Sequence, residues 1–295
     1  MTCTQFLGEE ADVGPDKRVS ILSAPLANTV SWGKGTDQGP SAVIDASPAL
    51  EIFDDELLME TARVGIETLA PLQLSGLSSE EACRRIYNAV GAELDRGRLP
   101  VLLGGEHTVT VPAVAACAAR YPDLHVVQVD AHLDLRDQYE GDALSHACVM
   151  RRIDDLFIPF SQVGIRSFSR EEWELVQRRS LEPYTITFIR TTREWVKQVC
   201  AKISGPVYIT FDVDGLDPAI MPATGTPEPD GLTWPEATAL LKGIAAAGKI
   251  VGLDCVEFAP YPGAHHAAFT VAKLLYRTLG YIFFDHGGKS TTSFG

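Results

Sequence analysis

At 295 residues, 45% hydrophobic and 22% charged, the chain carries enough apolar material for a large buried core. A formal charge of −14 and a pI near 4.9 argue against nucleic acid or an anionic membrane as partner. No apolar run approaches the roughly 18 residues of a membrane span.

The N-terminal MTCTQFLGEEADVGPDKR lacks a basic region followed by an apolar stretch, so no secretory signal is expected and the location reads as cytoplasmic. Residues 1–17 and 287–295 read as flexible tails of a single domain spanning 1–295. The six cysteines (Cys3, Cys83, Cys117, Cys148, Cys200 and Cys255) are scattered without a CxxC pair. Free thiols are expected rather than disulfides or a zinc knuckle.

In chain order, strands alternate with helices. Residues 19–22 form a first strand ending at Ala24-Pro25. The glycine-rich loop NTVSWGKGTDQGP, residues 28–40, lacks the GxGxxG spacing and the GKS/T ending, so it reads as tight turns leading to a helix from Pro40. A helix over 78–96 opens on a Ser78-x-x-Glu81 capping box and carries Cys83, Ile86, Ala89, Val90 and Leu94. The strand 99–103 runs into Gly104-Gly105-Glu106-His107, where paired glycines turn the backbone sharply and leave His107 at the sheet edge. An Ala-rich helix over 111–120 follows.

The stretch HVVQVDAHLDLRD, residues 125–137, is the centre of the pattern. Its strand, 126–129, stops at Asp130, His132 and Asp134, spaced i, i+2, i+4. In an extended chain these share one face while Ala131 and Leu133 point into the core. A solvated strand end is the plain alternative. Carboxylates, however, are rarely buried unless paired or bound to a cation.

A loop over 138–145 leads to His146 in the helix-like LSHACVMRR, then a strand over 162–166. Ser169-x-x-Glu172 opens the helix EEWELVQRR, its acids read first as helix-start residues and only second as substrate contacts. After a helix over 194–203, the strand 206–211 delivers Asp212 and Asp214 to one face. Two such carboxylates repel, and one takes up a proton unless a cation sits between them. The Pro/Gly-rich loop 219–231 suits an active-site wall. Thr233-x-x-Glu236 caps the next helix, and the strand 250–256 delivers Glu257. A helix over 267–279, a strand-like 281–284 and a frayed HGGKSTTSFG close the chain.

The alternation implies a parallel sheet covered by helices on both faces, whose ligands collect beyond the carboxyl ends of the strands. His107, the Asp130/His132/Asp134 trio, Asp212/Asp214 and Glu257 occupy four such ends. Two imidazoles and four carboxylates suit two divalent cations. Thiolate-free, oxygen-rich ligation favours Mn²⁺ and leaves Ni²⁺, Co²⁺ and Zn²⁺ open. Cation pairs of this kind sit about 3.5–4 Å apart and share a water acidic enough to supply hydroxide, so the reaction class is metal-assisted hydrolysis. A dimetal phosphoesterase needs Lys or Arg near the metals, where these motifs supply acids. A non-catalytic relative would show a broken ligand set.

GGEHT, DAHLDLRD, SHA, FDVDGLDP, TGTPEP and LDCVEFAP, in this order and spacing, resemble the ureohydrolases: arginase, agmatinase and their relatives. The resemblance runs from GTDQGPSAV to the last helix. It implies a three-layer α/β/α arginase-like fold with a central, mostly parallel sheet. It also implies a dimanganese centre, hydrolysis of a guanidino group to urea and an amine, and a homo-oligomer, trimer or hexamer. Carried over by motif, His107 and Asp134 bind one metal, His132 and Asp214 the other, and Asp130 and Asp212 bridge. Glu106 departs from the family's aspartate beside the histidine, and Ala259 stands where arginases have asparagine.

A guanidinium is a planar cation, so its site calls for a carboxylate that accepts two N–H bonds; Glu257, unclaimed by the metals, is that candidate. His146 is the candidate proton shuttle, with a buried, helix-capping histidine as the alternative. The expected catalytic set is therefore His146, Asp134 and Glu257. Leu135-Arg136-Asp137 and Ser167-Phe168-Ser169 lack the asparagine and aspartate with which arginases hold an α-amino acid, which disfavours arginine. DLRDQYEG, SHACVMRR and TPEP resemble agmatinases. Agmatine is thus the expected substrate, with guanidinobutyrate or another guanidino compound as the alternative. Glu228, or an acid in 138–142, is expected to meet the distal ammonium.

Overall fold

Val19–Ala24, Leu99–Gly104, His125–Val129, Val207–Asp212 and Ile250–Val256 are buried at every position, a pattern a strand sustains only when both faces of its sheet are covered. The computed structural model describes residues 5–8 and 16–284. Its strands are β1 (Val19–Ala24), β2 (Phe53–Asp54), β3 (Met59–Glu60), β4 (Ile66–Thr68), β5 (Leu99–Gly104), β6 (His125–Val129), β7 (Phe160–Ile165), β8 (Tyr184–Thr185), β9 (Val207–Asp212) and β10 (Ile250–Val256). The helices are α1 (Gly39–Ala46), α2 (Ser79–Asp95), α3 (Thr110–Ala118), α4 (Val149–Asp155), α5 (Arg170–Arg179), α6 (Ile186–Thr191), α7 (Trp195–Ala201), α8 (Trp234–Ala247) and α9 (His265–Phe283).

Eight strands form one sheet in the order β4-β1-β5-β10-β9-β6-β7-β8, with every adjacent pair parallel. Side chains alternate between the two faces, so Val101 and Leu103 join one apolar cluster while Leu102 joins the other. Helices α1, α8 and α9 close the first face, and α2, α3 and α4 the second. The result is the α/β/α layering expected. The chain moves from β5 to β6 across a gap later filled by β9 and β10, so the strand order reverses at the middle of the sheet. The carboxyl ends of β5, β10, β9 and β6 therefore lie side by side, where crevices form in open α/β sheets.

All three capping boxes form, at Ser78/Glu81, Ser169/Glu172 and Thr233/Glu236. Gly105 has a stronger constraint than turn freedom: a Cβ there would lie 2.0 Å from the Leu26 carbonyl oxygen. Gly105→Ala is therefore expected to force β5 and the Leu26 segment apart and to cost about 1–3 kcal/mol, read as a lowered Tm.

Several expectations need correction. Residues 5–8 are not a loose tail, because Phe6 and Leu7 are buried and the Gln5 side chain donates to the Ile66 carbonyl at 2.8 Å. The 287–295 tail, with Cys3, lies outside the described residues. Of the strand-like 281–284, residues 281–283 belong instead to α9, with Tyr281 and Phe283 buried, and Phe284 follows it in extended conformation. An aromatic and β-branched run satisfies either element, and only the helix packing decides. The short β2, β3, β4 and β8 and the helix α6 went unexpected, since two- or three-residue strands carry no periodicity. Among the described residues Cys83, Cys117, Cys148, Cys200 and Cys255 are free thiols.

Candidate metal centre and substrate cavity

His107 follows the β5 exit in a short 3-10 turn, Asp212 ends β9, and Asp214 lies in the turn Val213–Gly215. Asp130, His132 and Asp134 follow β6, but not as an extended strand. Asp134 has φ +52°, and His132 touches the β7 exit through a bridge to Ser167. The three side chains thus meet through a folded loop rather than through strand alternation. Likewise Asp214 is brought round by a turn in which the Asp212 carboxylate accepts its N–H at 2.9 Å.

The six side chains form one cluster. His107 Nδ1 lies 2.9 Å from Asp134 Oδ2, 3.2 Å from Asp130 Oδ2 and 3.4 Å from Asp212 Oδ2. His132 Nδ1 is 2.9 Å from Asp214 Oδ2 and 3.5 Å from Asp130 Oδ1. His107/Asp130/Asp212 and Asp130/His132/Asp214 each converge closely enough to hold an ion, with Asp130 common to both. Backbone donors hold the carboxylates in place: Ala131 N–H to Asp214 at 3.0 Å and His132 N–H to Asp130 at 2.5 Å. Gln128, from within β6, adds a bond to Asp130 at 2.7 Å.

The electrostatics favour positive charge among these carboxylates. Burial, then the neighbouring Asp130, push the Asp134 carboxyl up to about 7, and burial with Asp214 and Asp130 raises Asp212 well above the carboxylate range. Burial alone would lower both histidines. The adjoining aspartates outweigh it, raising His107 and pushing His132 up to about 12. Burial opposes ionisation of Asp130 as well, but the two adjoining imidazoles hold it below its ordinary value. His107 Nδ1 faces three carboxylates within 3.4 Å yet is hydrogen-bonded to none, a buried nitrogen aimed at a ligand position. This donor set fits two divalent cations of oxygen- and imidazole-preferring type.

Glu257 stands one residue beyond β10 with φ +62°, a conformation costly for a glutamate and one that folds its side chain back over His107. Its Oε1 accepts the His107 backbone N–H at 2.7 Å, leaving Oε2 toward Gly225. Burial, reinforced by Glu106 and Asp214, pushes this carboxyl up to about 8.

His146 lies across the same cavity in the turn His146–Cys148. Its Nε2 is 2.6 Å from Ser31 Oγ and its Nδ1 3.1 Å from Thr29 Oγ1, and Tyr139 meets its ring edge-on. Burial, then the charges at His107 and His132, push it down to about 4, so it rests neutral at physiological pH. Glu106 is buried and accepts from the Thr29 amide at 2.6 Å, tying the 28–33 loop to the β5 exit. The sequence shows only turns in that loop, but a segment leaving the carboxyl end of β1 rims the same crevice.

A cavity of about 270 Å³ joins these groups, walled by Trp32, Arg136, Tyr139, Phe168 and Glu172 among others. Glu228 does not line it; its carbonyl instead receives Arg166 Nη2 at 2.8 Å, securing the 219–231 loop. Asp142 turns away to accept from Ser79 and from the Leu144 N–H. The expected acid for a distal ammonium is therefore absent from the wall: Glu228 is held off it through its backbone, and the Asp142 carboxylate is taken by Ser79 and the Leu144 N–H. Glu172 does reach the wall, but its two oxygens take the N–H groups of Leu135 and Ser169.

The Arginase family model matches residues 17–280. The chain belongs to the arginase family. An N(1)-aminopropylagmatine ureohydrolase of Synechocystis sp. is 35% identical over 285 residues, covering 94% of this chain and 93% of the relative. An agmatinase of Bacillus anthracis is 36% identical over 249 residues, covering 83% and 84%. The crystal structure of the agmatine ureohydrolase of Thermoplasma volcanium superposes with a TM-score of 0.86 at 30% identity, covering 96% of this chain and 95% of that one. As an arginase-family hydrolase, the chain carries its donor cluster and its cavity at the carboxyl edge of the arginase fold. No helix among the described residues is long and apolar enough to cross a membrane.

Proposed function

We propose that this arginase-family hydrolase removes urea from agmatine, leaving putrescine. The observation that carries the reading is Glu257: a half-buried carboxylate that belongs to no ligand group and faces the cavity beside the six-residue cluster. Its free oxygen and backbone-anchored partner oxygen suit the paired N–H groups of a guanidinium, whose charge in turn keeps the carboxyl ionised.

His107, Asp134, Asp130, Asp212, His132 and Asp214 would hold two divalent cations, taken as Mn²⁺. Such a pair supplies Lewis acidity and a water that ionises near neutral pH. Glu257 orients the guanidino carbon toward the cluster. Thr29 engages His146 Nδ1, so Nε2, beside Ser31, is the atom that takes up a proton and returns it to the departing amine. A neutral resting imidazole suits that exchange. The aromatic faces of Trp32, Tyr139 and Phe168 are left to receive the distal ammonium by cation–π contact.

A longer substrate, N(1)-aminopropylagmatine, is the second reading, favoured by the name of the Synechocystis relative and by the exposure of Trp32 at the cavity mouth. A urea-release screen with added Mn²⁺ decides between them. Agmatine or its aminopropyl derivative is expected to exceed arginine in kcat/KM by at least about tenfold, one well-made charged contact being worth that much. Arginine ranking first would overturn the substrate assignment, and guanidinobutyrate ranking first would give Arg136 the distal contact. The proposal extends to a cytoplasmic homo-oligomer, trimer or hexamer, which light scattering of the purified protein tests.

A further inference from the structure

Behind the acid cluster a line of buried hydroxyls connects His107 to Asp254, a residue that contributes nothing to the cavity wall. His107 Nε2 lies 2.8 Å from Thr210 Oγ1, which lies 3.2 Å from Thr110 Oγ1. Thr110 Oγ1 donates to Asp254 Oδ2 at 2.8 Å, and the Tyr208 hydroxyl donates to the same oxygen at 2.8 Å. All five side chains are buried. The sheet builds this line: Thr210 on β9 is the register partner of Asp254 on β10, and Tyr208 lies two residues back on the same face. Gly252 leaves room for the tyrosine ring, since a Cβ there would lie 2.5 Å from it.

With Asp254 ionised, counting protons fixes the tautomer of His107. Each threonine hydroxyl has a single hydrogen. Thr110 spends its hydrogen on the carboxylate, so Thr210, which adjoins both, gives its own to Thr110 or to Asp254. Thr210, its hydrogen spent, can only accept from His107, which places a hydrogen on Nε2. The other ring nitrogen, Nδ1, is then free to offer its lone pair to the carboxylate-lined position.

We propose that Asp254 is a positioning residue of the metal centre: acting through Thr110 and Thr210, it holds His107 in the Nε2–H tautomer and orients Nδ1 toward a divalent cation. The inference rests on the two-metal reading. Partners of this kind orient metal-binding histidines and raise their basicity, and losing one weakens metal affinity by about 10–100-fold.

The test is a Mn²⁺ titration of the full-length chain, with free ion followed by electron paramagnetic resonance and folding by thermal melting. Thr210→Val and Thr110→Val each keep side-chain shape while cutting the line, and each is expected to weaken Mn²⁺ binding about 10–100-fold with little change in Tm. Thr210→Ser, which restores the hydroxyl, is expected to bind as the unaltered chain does. Should one valine variant fail to fold, the other carries the comparison. Unweakened binding in the valine variants overturns the inference, as does a serine variant as weak as valine, which would assign the effect to packing. An unaltered chain that takes up no Mn²⁺ removes the two-metal reading itself, and this inference with it.

Discussion

Asp212→Ala is expected to lose bound metal and hydrolytic activity together while the sheet stays folded. Asp212 ends β9 fully within the structure, 3.4 Å from His107 Nδ1, and its other oxygen accepts the Asp214 N–H that sets the following turn. Removing it leaves His107, His132 and three carboxylates with one negative charge fewer to hold two dications, and loosens Asp214 as well. Breaking one partner of a buried charge set costs about 3–5 kcal/mol, or about 10²- to 10³-fold and more in metal affinity. Metal content by plasma emission, measured beside urea release, checks the pairing. A variant with full turnover would remove Asp212 from the centre, and one that keeps its metals without activity would give it a different role.

Glu257→Gln is expected to separate substrate binding from metal binding. The amide oxygen can still accept the His107 N–H, so the β5 exit and the cluster keep their arrangement. At the position of Oε2, however, an NH₂ group would face guanidinium N–H groups, donor against donor. Hydrogen bonds to charged groups contribute about 1.5–3 kcal/mol, which predicts a loss of about ten- to a hundred-fold in kcat/KM. Metal content should match the unaltered chain. Unchanged kcat/KM for every guanidino compound would take Glu257 out of substrate recognition.

The contrast between these residues and the distal pocket is instructive. Asp130, His132, Asp134, Asp212, Asp214 and Glu257 were legible as candidates because each follows an apolar strand where packing has no use for it. Glu228 was equally acidic and equally near a motif, yet its segment is tied down through its backbone by Arg166, and its side chain stays off the cavity wall. Nothing local in TGTPEP distinguishes the two outcomes. The same holds for Thr29 and Ser31, which hold His146, and for Asp254, whose partners come from α3 and β9. Each of these relations joins residues far apart in the chain.

From residue order alone follow the alternation of strands and helices, the capping boxes and the chemical inventory at the strand ends, because periodicity, helix-end chemistry and the cost of burying a carboxylate are short-range properties. Tertiary structure alone decides that β9 and β10 slot between β5 and β6. That insertion sets four strand exits side by side, turns a spaced list of acids and imidazoles into one cluster, and puts Thr210 beside Asp254. Strand order is settled by which apolar faces pack best across the whole molecule, and no stretch of sequence records that sum.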